Sequence, residues 1–377
     1  MKIVIAPDSY KGSVSAVGVA EAMERGVRKV FPEAEVVKMP IADGGEGTVE
    51  TMIEASGGTW VEETVVGPLG EPVKAGWGIM GDGETGVIEM AAASGLPLVG
   101  TRKNPLITTT YGTGELIVSA LNRGLKRIII GIGGSATNDG GVGMARALGV
   151  RFLDADGKEL ANGGGALADL ATIDVSGIDK RIQDVTLLVA CDVDNPLCGP
   201  TGASFVYGPQ KGATPEMVEA LDAALANYAD IAEKTLGKSV KDTPGAGAAG
   251  GLGAGLMLFT QTELRPGIDI ILEVNEFDKA LQGASLMLTG EGQTDFQTAR
   301  GKAPVGAAKW AKKYDIPVVC ISGGLGQGAN DVLAHGIDAI ASIAPHPISL
   351  EDCIAQGEQL LEDATERICR LVNIQVK

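Results

Sequence analysis

At its start the chain alternates short apolar runs with helical apolar stripes. Residues 2–6, KIVIA, are an apolar run of strand length. Residues 15–31 carry Ala16, Val19, Ala20, Met23, Val27 and Val30 at helical spacing, which gives one apolar helix face. A second strand is predicted near 35–39 and a helix near 47–56. This βαβα order calls for a parallel sheet. Between 58 and 90 the pattern changes. TWVEETVVG, VKAGWGIMG and TGVIEMA are strands joined by Gly/Pro turns with no room for helices, which predicts antiparallel pairing. Residues 112–123, 126–131 and 139–148 then read helix, strand, helix, 185–191 a strand, and 214–236 a long amphipathic helix. After 284 the alternation returns. SLMLTG, IPVVCIS and DAIASIA are apolar runs, with helices near 302–314, 328–335 and 349–372. Strands apolar on both faces belong in a parallel sheet. The economical organisation is one sheet built from both chain ends, 1–59 and 285–377, with 60–284 inserted as a second α/β domain. Two independent duplicated domains are the alternative.

Composition narrows the class. The 377 residues are enough for about two domains, and 45% hydrophobic content allows a sizeable core. The 55 glycines follow no strict period, so collagen-like and repeat architectures are excluded. They suggest loops that approach a ligand closely. A net charge of −17 argues against nucleic-acid and acidic-membrane partners, but leaves a phosphate ligand open. The five cysteines form no CxxC, which reads as a reduced, cytoplasmic protein. The apolar run at the N-terminus is too short for a secretory signal. Residues 243–262 have membrane-span length, but their six glycines and a proline read as a loop leading into a buried helix.

The polar glycine-rich stretches all follow strands. APDSYKGS follows the first strand, PIADGGEG the second, TGEGQTDFQTARGK the run at 285–289 and SGGLGQG the run at 316–321. Ligands of open α/β sheets bind beyond the carboxyl ends of the strands, so these loops should converge. GIGGSATNDGG (131–141) and CDVDNPLCG also follow strands. Two readings compete for 131–141. Gly131-x-Gly133-x-x-Ala136, with Asp154 and Asp156 about twenty residues on, matches a relaxed dinucleotide fingerprint. Against it stand the antiparallel pattern upstream and the turn-like DADGKEL. A kinase makes better use of the stretch: backbone N–H groups and hydroxyls for phosphates, and Asp139 or Asn138 for Mg²⁺. No GxxxxGK[ST] is present. Simple packing is the third option.

Only His335 and His346 could supply imidazole, so a general base is expected to be a carboxylate. The candidates are Asp8, Asp43, Glu46, Asp139, Asp192, Asp194, Glu291 and Asp295. Asp192 ends an apolar strand and precedes Asn195-Pro196. Lys11, Lys211, Arg300 and Lys302 lie in glycine-flanked turns, with Lys11 best placed for an anion.

Together APDSYKGSVSA, PIADGGEGT, GIGGSATNDGGVGM, CDVDNPLCGPTGAS, YGPQKGA, GAAGGLGAG and TGEGQTDFQTARGKAPVGAA resemble the signature stretches of the class I bacterial glycerate kinases, in order along the whole chain. Tyr10 and Tyr207 stand where Phe is common, and the Tyr10 hydroxyl is free to touch substrate. The resemblance implies two α/β domains, one of them Rossmann-like and assembled from both chain ends, with the active site between them. It implies ATP-dependent, Mg²⁺-assisted phosphorylation of D-glycerate, giving 2-phosphoglycerate, in the cytoplasm. On that basis Lys11 and the N–H groups around Ser9 and Gly12 are expected to meet the glycerate carboxylate. Asp8, Asp43, Gly44 and Gly45 complete the substrate site. Gly133, Gly134, Ser135, Ala136, Thr137, Asn138 and Asp139 are expected to hold ATP phosphates, with Asp139 and Asp192 on the metal. Asp192 is the first choice of base and Asp43 the second. Glu291, Asp295 and Lys302 are further cleft candidates. No nucleic-acid or membrane partner is expected, and a homodimer is compatible with the residues. An NAD-dependent oxidoreductase and a two-lobed solute-binding protein are the competing classes. ATP consumption separates either from a kinase.

Overall fold

The computed structural model describes residues 1–45 and 47–374. Glu46, one of the candidate carboxylates, lies outside them. The chain divides into two compact units: Met1–Asp43, Glu50–Ala55 and Ile268–Lys377 form the first, and Gly44–Val49 with Ser56–Gly267 the second.

The first unit is a five-stranded parallel sheet. Its order is Ala339–Ser342, Val318–Ser322, Leu286–Thr289, Lys2–Ile5, Glu35–Lys38. Strands from the two chain ends therefore lie side by side at its centre, with Ile3 opposite Leu286 and Ile5 opposite Leu288. Alternation decides the layers. Ile3, Ile5, Leu286 and Leu288 face a core with Val19 and Met23 of helix Ala16–Arg28 and Leu360 and Leu361 of helix Gly357–Val372. Val4 and Met287 face the opposite core, with Ile268, Leu272, Phe277, Leu281 and Val305. Ser15 caps the first helix, accepting from the Gly18 N–H at 3.1 Å.

That second core moves the boundary. The sequence placed re-entry into the first domain at 285, but the chain re-enters at Ile268, because helices Gly267–Val274 and Phe277–Leu281 bury their apolar residues against this sheet. The single helix expected at 349–372 is two, Leu350–Ala355 and Gly357–Val372. The helix expected at 328–335 is a 3₁₀ stretch, Ala329–His335.

The second unit holds a six-stranded mixed sheet in the order Gln261–Arg265, Thr186–Ala190, Arg127–Gly131, Thr85–Glu89, Pro72–Ile79, Thr59–Val66. The last three pair antiparallel, as their patterning predicts. Thr85–Glu89, however, pairs parallel with Arg127–Gly131, and that strand with Thr186–Ala190. The loop at 131–141 thus follows a strand inside a parallel array, and the antiparallel pattern upstream is no argument against a dinucleotide turn. The edge strand Gln261–Arg265 has no apolar run and was not foreseen. Helix Ala248–Phe259 lies in the stretch of membrane-span length, and Ala249, Gly250 and Gly251 near its start take left-handed backbone angles. Among the described residues no helix is long and apolar enough to cross a membrane.

Candidate active site

In the first unit the chain runs outward in opposite directions from the central pair Lys2–Ile5 and Leu286–Thr289, one way to Glu35–Lys38 and the other to Val318–Ser322 and Ala339–Ser342. Such a switch point leaves a crevice beyond the strand ends. A pocket of about 740 Å³ lies there. Asp8, Ser9 and Lys11 enter it after the first strand and Asp43 after the second. Glu291, Asp295 and Lys302 enter from the loop after Leu286–Thr289, and His346 from beyond the last strand. The fold thus brings together Asp8, Asp43, Glu291, Asp295, Lys11 and Lys302, six candidates from three loops.

Their electrostatics differ from one another. Burial, and next the nearby charge of Asp43, push the Asp8 carboxyl up to about 7. Glu291 adds to the rise, while the Ser9 N–H and Lys11 oppose it. Glu291 is 6% exposed, and burial raises it as well. Its Oε1 accepts from the hydroxyls of Thr298 at 2.6 Å and Thr294 at 3.1 Å. Thr294 in turn shares a 2.7 Å bond with Ser322. These hydroxyls fix the orientation of Glu291. Asp295 is half-buried and accepts from the Gln297 N–H at 2.8 Å, closing a local turn. Lys302 precedes helix Ala303–Lys312, so an anion beside it would also meet a helix N-terminus.

Some expected contacts do not hold. The Ser9 N–H is already donated to Asp8 Oδ1 at 2.6 Å. The N–H groups of Lys11 and Gly12 have no acceptor among the described residues. The Tyr10 hydroxyl turns inward and donates to the Ile321 carbonyl at 2.7 Å, so it is not free for substrate. Gly44 belongs to the second unit at φ +86°, where a Cβ would lie 2.7 Å from Ala190 Cβ. Packing accounts for that glycine. Gly45 is half-buried beside it.

In the second unit the loop at 131–141 divides into a tip and a floor. Gly133 and Gly134 are exposed at the tip. The N–H groups of Gly133, Gly134 and Ser135 have no acceptor among the described residues. The tip is braced from behind: Leu96 N–H donates to Gly134 O and Ala136 N–H to Ser94 O, both at 2.9 Å. Thr137, Asn138 and Asp139 are buried in the floor. Asp139, 1% exposed, accepts from the Thr110 N–H (2.8 Å), the Thr110 hydroxyl (2.9 Å), Gly141 N–H (3.1 Å) and Gly143 N–H (3.2 Å). This carboxylate is enclosed and used to hold the loop, which removes Asp139 from the metal ligands. Its partner Thr110 belongs to a buried run, Thr108 to Thr110, that sequence reading passed over. Three threonines directly before a helix were the available signal. Asn138 donates to Ser204 Oγ at 3.0 Å. Lys211 is 1% exposed, and its Nζ donates to the Thr137 carbonyl at 2.6 Å. It cannot touch a solvent-borne ligand as a surface lysine would.

Asp192 is exposed at the end of strand Thr186–Ala190 and accepts from the Gly267 N–H at 3.1 Å. Asp194 is exposed nearby. Asp154, the acidic residue of the apparent dinucleotide fingerprint, instead closes a turn, accepting from Asp156 N–H and Lys158 N–H at 2.9 Å each. It follows the short strand Arg151–Leu153, which pairs antiparallel outside the main sheet. The fingerprint therefore lacks its ribose partner.

A model described as the glycerate kinase family matches residues 3–373. The chain is 56% identical over 375 residues to a glycerate kinase of Bacillus subtilis (strain 168), spanning 99% of this chain and 98% of that one. It is 52% identical over 371 residues to a glycerate 2-kinase of Escherichia coli (strain K12), spanning 98% and 96%. A crystal structure described as glycerate kinase 2 from Salmonella typhimurium LT2 matches with a TM-score of 0.92 at 50% identity, over 99% of this chain and 98% of that one. The chain belongs to the glycerate kinase family.

Proposed function

We propose that this chain transfers the γ-phosphoryl group of ATP directly to the 2-hydroxyl of D-glycerate, giving 2-phosphoglycerate and ADP. The observation that carries the reading is the first unit's pocket, where carboxylates raised by burial and mutual repulsion stand beside Lys11 and Lys302. The lysines, and the open N–H groups of Lys11 and Gly12, suit the glycerate carboxylate. Asp8 and Asp43 suit its hydroxyls.

A general base works best with a pKa near the operating pH. Asp8, raised to about 7, meets that condition and displaces Asp192 as first choice, with Asp43 second. The open N–H groups of Gly133, Gly134 and Ser135 suit phosphate oxygens. Mg²⁺ prefers oxygen donors and binds nucleotide sites through one or two carboxylates plus phosphates. No cluster of three or more metal-binding side chains exists among the described residues, and that sparse mode fits a single exposed carboxylate such as Asp192. Bound there, Mg²⁺ would neutralise phosphate charge. Phosphoryl transfer is chiefly positioning and charge neutralisation, so glycerate and the nucleotide phosphates must be brought within reach of each other during turnover. A cytoplasmic enzyme fits this reading.

The test supplies ATP, Mg²⁺ and D-glycerate and reads product through enolase, pyruvate kinase and lactate dehydrogenase, without phosphoglycerate mutase. NADH loss that requires enolase is expected. Signal only after mutase is added would mean the 3-phosphate and overturn the 2-hydroxyl assignment. No ADP at all would overturn the whole reading.

A further inference from the structure

We propose that Lys211 is a positioning residue for nucleotide: its buried amino group, bound to the Thr137 carbonyl, supports the 131–141 loop from beneath and lends positive charge to its phosphate-facing tip. This rests on the reading that the tip holds ATP phosphates.

Lys211 ends the 3₁₀ turn Pro209–Lys211 and is fully enclosed. The turn is fixed by Lys211 N–H to Gly208 O and by Ala213 N–H to the same carbonyl, each at 3.0 Å. A Cβ on Gly212, at φ +94°, would lie 2.7 Å from Lys103 Cβ, so this approach is tightly built. A lysine is among the most expensive side chains to bury without a partner. A hydrocarbon of the same length would fill the space without that penalty, so the amino group itself needs an explanation.

Its surroundings supply one. The floor of the loop is gripped residue by residue. Thr108 donates to the Ala136 carbonyl, Lys211 to that of Thr137, Asn138 to Ser204, and Thr110 to Asp139. Lys211 is the basic group among these grips. Its three donors have one acceptor among the described residues. Among the described residues Thr137 Oγ1, Asn138 Oδ1 and Tyr228 OH are also buried without a partner, the first two in the same floor. Thr137 is two residues from Ser135, too few for the tip to move independently of its floor.

The charged and titratable groups acting on Lys211 are few. Burial pushes its amine down to about 7, and the nearby charge of Asp139 partly opposes that. Tyr228, raised far above the usual phenol range by burial and Asp139, stays neutral. Lys103 is exposed and donates to the Gln210 carbonyl at 3.1 Å. A polyanion arriving at the tip would favour protonation of Lys211. ATP binding should therefore take up a proton from the medium at pH 7.5.

Calorimetric titration of the full chain with Mg·ATP at pH 7.5, in two buffers of different ionisation enthalpy, measures that uptake without any mutation. Lys211→Met and Lys211→Gln follow, each read for melting temperature, KM for ATP, KM for D-glycerate and kcat. Expected are proton uptake by the wild type, none by either variant, and a KM for ATP raised about tenfold, equivalent to ~1.4 kcal/mol, with KM for D-glycerate unchanged. Wild-type KM for ATP and unchanged proton uptake in both variants would overturn the inference. Gly133→Asp, placed where a Cβ meets open space, separates the two layers. If it raises KM for ATP while the Lys211 variants do not, only the role of Lys211 falls. If none of the three raises it, the loop does not bind nucleotide and both readings fall.

Discussion

Asp8 and Asp139 both stand in polar loops that contain glycine and follow a buried parallel strand, and burial raises both carboxyls, but their partners differ. Asp8 faces an open pocket with Asp43 and Glu291, and repulsion with burial raises it to about 7. Asp139 is closed in, with four donors on its two oxygens. A carboxylate under-served by donors keeps its reactivity for a ligand. One saturated by backbone N–H groups is part of the scaffold. Donor count and exposure separate the two uses, where residue type and glycine context do not.

The largest effect that would sharpen this contrast is on turnover. Asp8→Asn is expected to lower kcat by ~10²–10⁴-fold. Its stability should move the other way. The Asp8 carboxyl is raised from 3.8 to about 7, so the folded state binds the extra proton. Stability from that proton is complete below about pH 4 and is lost as pH rises through 7. Asp8→Asn should therefore melt with the wild type near pH 4 and above it at pH 8. A variant with normal kcat, or one less stable at pH 8, would place Asp8 with the scaffold.

Asp139→Ala is the converse. It strands the N–H groups of Thr110, Gly141 and Gly143 in the interior. A loss of about 3–5 kcal/mol is expected in denaturant unfolding, since each buried orphan donor costs roughly 1–3 kcal/mol. An Asp139→Ala protein that melts like the wild type but does not turn over would return Asp139 to the chemistry and dissolve the distinction.

The same contrast marks how far the sequence could be read. The unbroken apolar run Ile3-Val4-Ile5 and the helical stripe of Val19, Met23 and Val27 specify a sheet covered on both faces, and both cores form as patterned. Gln261–Arg265 escaped because an edge strand pairs on one side and carries Gln261, Thr262, Glu263 and Arg265 in place of an apolar run. The break at Gln356 escaped because nothing in the local pattern marks it; there the Ile354 carbonyl accepts from the Ser13 hydroxyl at 2.9 Å, a contact between residues far apart in the chain. That Asp8, Asp43, Glu291, Asp295, Lys11 and Lys302 line one pocket was legible from their position after strands. The burial of Asp139, Lys211 and the Tyr10 hydroxyl was not legible, for one reason. Each is a polar group whose partner, Thr110, Thr137 or Ile321, lies far away in sequence, and periodicity carries no information about such pairs.

A smaller effect tests the contrast through backbone alone. Gly12 and Gly250 both hold left-handed angles, at φ +77° and +70°. At Gly12, in the open pocket loop, a Cβ would meet nothing within 4 Å. At Gly250, beneath the buried floor, it would lie 2.0 Å from the Thr137 carbonyl oxygen, which Lys211 also holds. Alanine at Gly12 should then cost only the left-handed backbone penalty, roughly 1–2 kcal/mol. Alanine at Gly250 adds overpacking of ~1–3 kcal/mol to the same penalty, and by displacing Thr137 it should raise KM for ATP. Equal losses of stability in the two variants would mean that the floor yields as easily as the pocket loop. The claim that rigidity resides beneath the 131–141 loop and reactivity around Asp8 would then fail on the mechanical side, whatever the carboxylate variants had shown.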